Sequence, residues 1–163
     1  MTENAPPPVI DSARVIAYAF VDDIPYQRCG SLYSGDRLIE HVPRLVICLN
    51  LGADIGPLLF HCDEQWNVLG TSGASTIEET KLSAEKNYPG VTARWIDVNT
   101  SVTEALDYYD QATNGAKCSF CGKRPFEMDG GWVEGNNGAL ICRECVENLY
   151  RGFQKDSTGD SRD

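Results

Sequence analysis

Four cysteines stand in two pairs, Cys118-Ser119-Phe120-Cys121 and Cys142-Arg143-Glu144-Cys145, with twenty residues between them. Two residues inside each pair let a tight turn aim both sulfurs at one ion. Gly122, directly after Cys121, admits the positive φ that such a turn requires. One pair fills half of a tetrahedral shell and the other pair fills the rest, and soft thiolates favour zinc over magnesium or calcium. The spacing therefore assigns Cys118, Cys121, Cys142 and Cys145 as ligands of one zinc ion. A closed four-sulfur shell has no position for water or substrate, so the ion is expected to be structural rather than hydrolytic.

His61-Cys62-Asp63-Glu64 is the second cluster with chemical potential, a thiol beside an imidazole followed by two carboxylates. Adjacent residues of a strand face opposite sides, so His61 and Cys62 are not expected to meet. Asp63 and Glu64 fall at a turn, where acids are ordinary. Asp22-Asp23 reads as a solvated loop, and nothing marks His41. Cys29, Cys48 and Cys62 read as buried free thiols. Trp66, Trp95, Tyr108 and Tyr109 read as core aromatics. No catalytic residue emerges, and the chain is expected not to be an enzyme.

The elements that must position these groups follow from pattern. Residues 1–12 carry Pro6, Pro7 and Pro8 and read as a flexible arm. Strands are expected at Ala13–Asp22, Arg44–Leu51 and Val91–Val98, with a hairpin of Leu58–Cys62 and Gln65–Leu69. Asp23–Asp36 reads as a loop or irregular hairpin. Helices are expected at Ser75–Asn87, capped by Ser75 or Thr76, and at Ser101–Gln111, where Ser101 and Glu104 form a capping box. These make a small α+β domain over residues 13–112. Ala112–Lys117 reads as a linker, with the boundary near Asn114. Residues 113–153 then form the zinc module: a knuckle, a hairpin around Gly135–Gly138, and a helix with Cys142 and Cys145 at its start. Knuckle, hairpin and helix in that order are a treble-clef arrangement. Phe120, Phe126, Trp132, Leu140, Ile141, Val146, Leu149 and Tyr150 are expected to cluster once the metal fixes both pairs. Residues 154–163 read as a disordered tail.

Composition narrows the partners. The 163 residues carry a net charge of −10. That balance disfavours nucleic acid and anionic lipid, which bind clustered Lys and Arg. No run approaches the ~20 apolar residues of a membrane span. The first eleven residues have neither a basic region nor an apolar core, which sets the expectation of a cytoplasmic protein. Clustered cysteines in that compartment read as metal ligands rather than disulfides.

Cys118-Ser119-Phe120-Cys121-Gly122-Lys123 and Ile141-Cys142-Arg143-Glu144-Cys145-Val146 resemble the zinc-binding domain at the N-terminus of ClpX, the bacterial unfoldase. The likeness covers about forty of the 163 residues. It implies a treble clef that dimerises and recruits substrates and adaptors, with the four cysteines carried over one by one as zinc ligands. Two features depart from that family. No Gly-x-x-x-x-Gly-Lys-[Ser/Thr] motif accompanies the module, and Phe126, Met128 and Trp132 give its hairpin a different setting. Leu58–Val91 is similar to strand–strand–helix segments of small bacterial proteins, some encoded near toxin genes.

The expected function is binding of another protein as an adaptor, regulator or recruiting module, with homodimerisation through the zinc module implied by the resemblance. Two alternatives stay open. One is an immunity or inhibitor protein for a bacterial toxin, since an acidic surface suits a basic target. The other is a nucleic-acid-binding or transcription regulator acting through Lys117, Lys123, Arg124, Arg143 and Arg151.

Overall fold

The computed structural model describes residues 5–29 and 32–157. Residues 1–4 of the expected arm, Gly30 and Ser31 of the expected loop, and residues 158–163 of the expected tail lie outside the described residues. The chain divides into two units, Met1–Tyr109 and Asp110–Asp163. The division falls inside the last turn of a helix rather than in the linker at Ala112–Lys117.

The first unit is built on an antiparallel sheet. β1 (Val9–Ile10) turns back through Asp11 and Ser12, both at positive φ, into β2 (Ala13–Phe20). Part of the expected flexible arm is therefore paired strand. β3 (Leu32–Ser34) and β4 (Arg37–Ile39) form a separate hairpin. β5 (Arg44–Asn50), β6 (Pro57–Cys62) and β7 (Val68–Gly73) complete the main sheet in the order β1-β2-β5-β6-β7.

Each face of that sheet carries its own apolar cluster. Leu45, Ile47 and Leu59 pack on one side with Ala84, Tyr88 and Val91. Val46, Cys48, Phe60, Cys62 and Trp66 pack on the other. α1 (Ile77–Asn87) supplies Ala84 to the first cluster, and Thr76 caps it by accepting the Glu79 N–H at 3.1 Å. Tyr88 follows, fully buried, and its hydroxyl accepts the Val42 N–H at 2.9 Å.

Two expectations shift here, each for a local reason. The second arm of the β6–β7 hairpin starts at Val68, not Gln65. The Asp63 carboxylate accepts the N–H groups of Gln65 and Asn67 at 2.8 and 2.9 Å, which holds a longer loop and leaves Trp66 at φ 67°. Val91–Val98 is not a full strand. Gly90 at φ 93° opens a 3-10 turn over Val91–Arg94, and the Glu85 carboxylate accepts from Gly90 N and Thr92 N. Only β8 (Ile96–Asp97) pairs, against β2.

α2 (Val102–Ala112) begins with the expected capping box: Ser101 N donates to Glu104 at 2.8 Å, and Glu104 N donates to Ser101 at 3.2 Å. The second unit holds β9 (Trp132–Glu134), β10 (Leu140–Cys142) and α3 (Arg143–Ser157). α3 thus includes Gln154–Ser157 of the expected tail. No helix among the described residues is long and apolar enough to cross a membrane.

Candidate metal centre

Two short segments bring the four sulfurs together. In the first, Gly122 N donates to Cys118 O at 2.9 Å and Cys118 N to Lys123 O at 2.8 Å, closing a knuckle with Gly122 at φ 75°. In the second, β10 ends at Cys142 and α3 starts at the next residue, so Cys145 sits in its first turn. Ser119 N donates to Leu140 O at 2.8 Å and ties knuckle to hairpin. The hairpin turns through Asn137 and Gly138, both at positive φ.

The donor set fits a tetrahedral metal. All four Sγ atoms lie within 4.8 Å of one another. Cys118 and Cys145 sulfurs are 3.8 Å apart, and those of Cys121 and Cys142 are 3.7 Å apart. An ion about 2.3 Å from each of four sulfurs would set them about 3.8 Å apart, whereas a disulfide would need about 2.05 Å. All four are free thiols. Backbone N–H groups of Cys121 and Cys142 aim at the Cys118 sulfur and hold its pKa down at about 6. Burial and the neighbouring sulfurs push the Cys145 thiol well up. A cation among these sulfurs would favour the thiolate throughout.

A carboxylate clamps both ends of the knuckle. Asp110 accepts from Arg124 Nε at 2.7 Å and Nη2 at 3.0 Å, and from Lys117 Nζ at 2.9 Å. The Arg124 hydrogen bonds, reinforced by Lys117 against desolvation, lower the Asp110 pKa to about 2. Lys123 pairs with Glu144 across the two cysteine segments. Sequence spacing gave no sign of either pairing, because the partners are far apart in the chain.

The expected apolar cluster does not form. Around the sulfurs, among the described residues, only Cys118, Met128, Leu140 and Cys142 are buried. Phe120, Trp132, Val146, Leu149 and Tyr150 are exposed, as is Phe153, and Phe126 and Ile141 are half-buried. Their helical period was legible, but so small a unit has too little opposing surface to cover both faces of α3. Phe120, Leu149 and Phe153 instead line an apolar hollow of about 390 Å³ beside Cys145.

The second cluster comes apart as expected. Cys62 lies in the apolar cluster with Cys48, and burial pushes its thiol up to about 12. His61 is buried on the other face, beside α1, and burial lowers its pKa to about 4. Asp63 is occupied with its own loop. Asp22 and Asp23 are exposed in a turn, as expected, and Asp23 pairs there with Arg94. His41 packs against Tyr26 and Tyr88. Cys29 corrects the reading of three buried thiols: it is exposed, and its Sγ donates to Lys86 O at 3.2 Å. Trp66 and Tyr109 are buried, but Tyr108 is exposed.

Comparison of the chain with protein-family models, with curated proteins and with solved structures gives no match.

Proposed function

We propose that the chain is a non-enzymatic zinc protein that binds another protein through the apolar face of a ClpX-like treble clef. The observation that carries this is the exposed stripe of Val146, Leu149, Tyr150 and Phe153 on the helix that begins at the four sulfurs. Contiguous apolar surface of this kind marks interaction sites. Thiolate donors at tetrahedral spacing favour zinc, and a closed shell suits a structural role. Catalysis has no part in this reading, and the cysteine chemistry suits the reducing cytoplasm. A second copy of the chain is the simplest occupant of the face. The net charge of −10 favours a basic target for any heterologous partner, as for an inhibitor of a basic toxin.

A photo-crosslinking residue placed at Phe153 tests this in the native cell. A discrete adduct is expected, either a dimer of the chain or one heterologous protein. Leu149→Glu should abolish it while leaving the metal content unchanged. No discrete adduct from metal-loaded protein, or adducts indifferent to Leu149→Glu, would defeat the proposal.

A further inference from the structure

The first unit has a cavity of about 260 Å³ on the α1 side of its sheet. The β3–β4 hairpin forms one wall. It can come so close because Gly70, opposite His61 in the register, has no side chain: a Cβ there would meet Leu32 at 3.0 Å and Ile39 at 3.2 Å. His61 lines the cavity and is only 5% exposed. Its ring nitrogens make no hydrogen bond among the described residues and are not fully sealed from solvent. A buried polar side chain without a protein partner is costly unless something else supplies one.

The other lining residues with polar atoms are Glu40 at the rim, Ser72, Ser83, Asn87, Tyr26 and Cys29, whose Sγ donates to Lys86 O. Asn87 Oδ1 already accepts the Cys29 N–H at 3.1 Å, which leaves the Asn87 amide nitrogen to donate.

We propose that this cavity binds a small organic ammonium compound, its amine against Glu40 and a hydroxyl or amide group against His61. Glu40 makes no ion pair among the described residues, and the net charge of −10 draws cations to the protein. Burial keeps the imidazole uncharged, so His61 offers one donor and one acceptor and does not repel a cation. Leu32, Ile39 and Tyr26 supply the apolar wall for a short carbon chain. The volume falls below the about 300–1,000 Å³ of drug-sized sites, so the ligand is smaller than a nucleotide. A bare metal ion is a poor fit: among the described residues only the four cysteines bring their donor atoms together.

The full chain carrying labelled histidine would be titrated at constant neutral pH with ethanolamine, ethylene glycol and propionate, following the His61 imidazole by NMR. Ethanolamine should give a saturable shift. Ethylene glycol, which keeps a hydroxyl but lacks the charge, should bind about tenfold more weakly, and propionate should not bind. Glu40→Gln lies at the exposed rim and should preserve the fold while weakening ethanolamine about tenfold. No saturable His61 shift with ethanolamine, equal binding of the glycol, or indifference to Glu40→Gln would each overturn the proposal.

Discussion

The backbone N–H of Cys142 donates to the sulfur of Cys118 across 3.4 Å, so the second cysteine pair is held to the first by main chain as well as by any shared ion. Cys142→Ser keeps this N–H but removes one of four sulfurs. If structural zinc contributes on the order of 10 kcal/mol, a quarter of that is about a hundredfold in affinity. Native mass spectrometry should show one zinc per wild-type chain, and little or none in the variant at limiting metal. Equal metal content in both would remove these four residues as the ligand set.

Chelation should act on one unit alone. Few side chains are buried around the sulfurs, so a metal held there is expected to carry much of the second unit's stability. The first unit has two apolar clusters of its own. Amide exchange with a chelator should lose protection over residues 116–153 and keep it over residues 13–112. Joint loss would mean that the two units fold as one.

His61 gives the first unit a pH dependence with a definite sign. Its pKa drops from 6.5 to about 4 on folding because burial penalises the imidazolium. Between those values the unfolded chain binds the extra proton, so stability is full above about 6.5 and falls as pH drops towards 4, by on the order of 3 kcal/mol. Denaturant midpoints measured from pH 7 to 4 should show this slope, and His61→Gln should flatten it. An unchanged slope in the variant would place the acid sensitivity elsewhere.

Tyr88→Phe removes the hydroxyl that accepts the buried Val42 N–H. The ring still fits, but the donor loses its partner, at a cost of about 1–3 kcal/mol. Chemical denaturation followed by Trp66 and Trp95 fluorescence would measure it. A change below a few tenths of a kcal/mol would mean that water replaces the hydroxyl.

What was legible in the sequence was local. The Ser101–Glu104 box, the Thr76 cap, the knuckle glycine and the cysteine pairs each depend on residues within a few positions. The opposite facing of His61 and Cys62 followed from strand period alone. What stayed hidden depends on distant partners. The hairpin against Gly70, the Asp110 clamp and the exposure of α3 are set by which surfaces remain after the chain has folded, and period cannot distinguish a stripe facing a core from one facing water.

β2 has a phase slip at its centre. Val15 stands opposite Cys48 and Ala17 opposite Ile47, so Ile16 has no counterpart on β5, and its carbonyl accepts Val98 N at 2.7 Å. Before the slip Ala13 and Val15 face the cluster that holds Trp66; after it Tyr18 and Phe20 do. Odd positions give way to even ones without the strand changing sides. Removing Ile16 would therefore restore strict alternation and leave every other residue of β2 on its present face. Removing Ala19 instead would put Phe20 among the residues under α1 and take it away from Arg44, whose guanidinium lies 5.3 Å from its ring. A single-residue deletion is thus absorbed at the slip around Ile16, where the spare residue already stands, but not at Ala19.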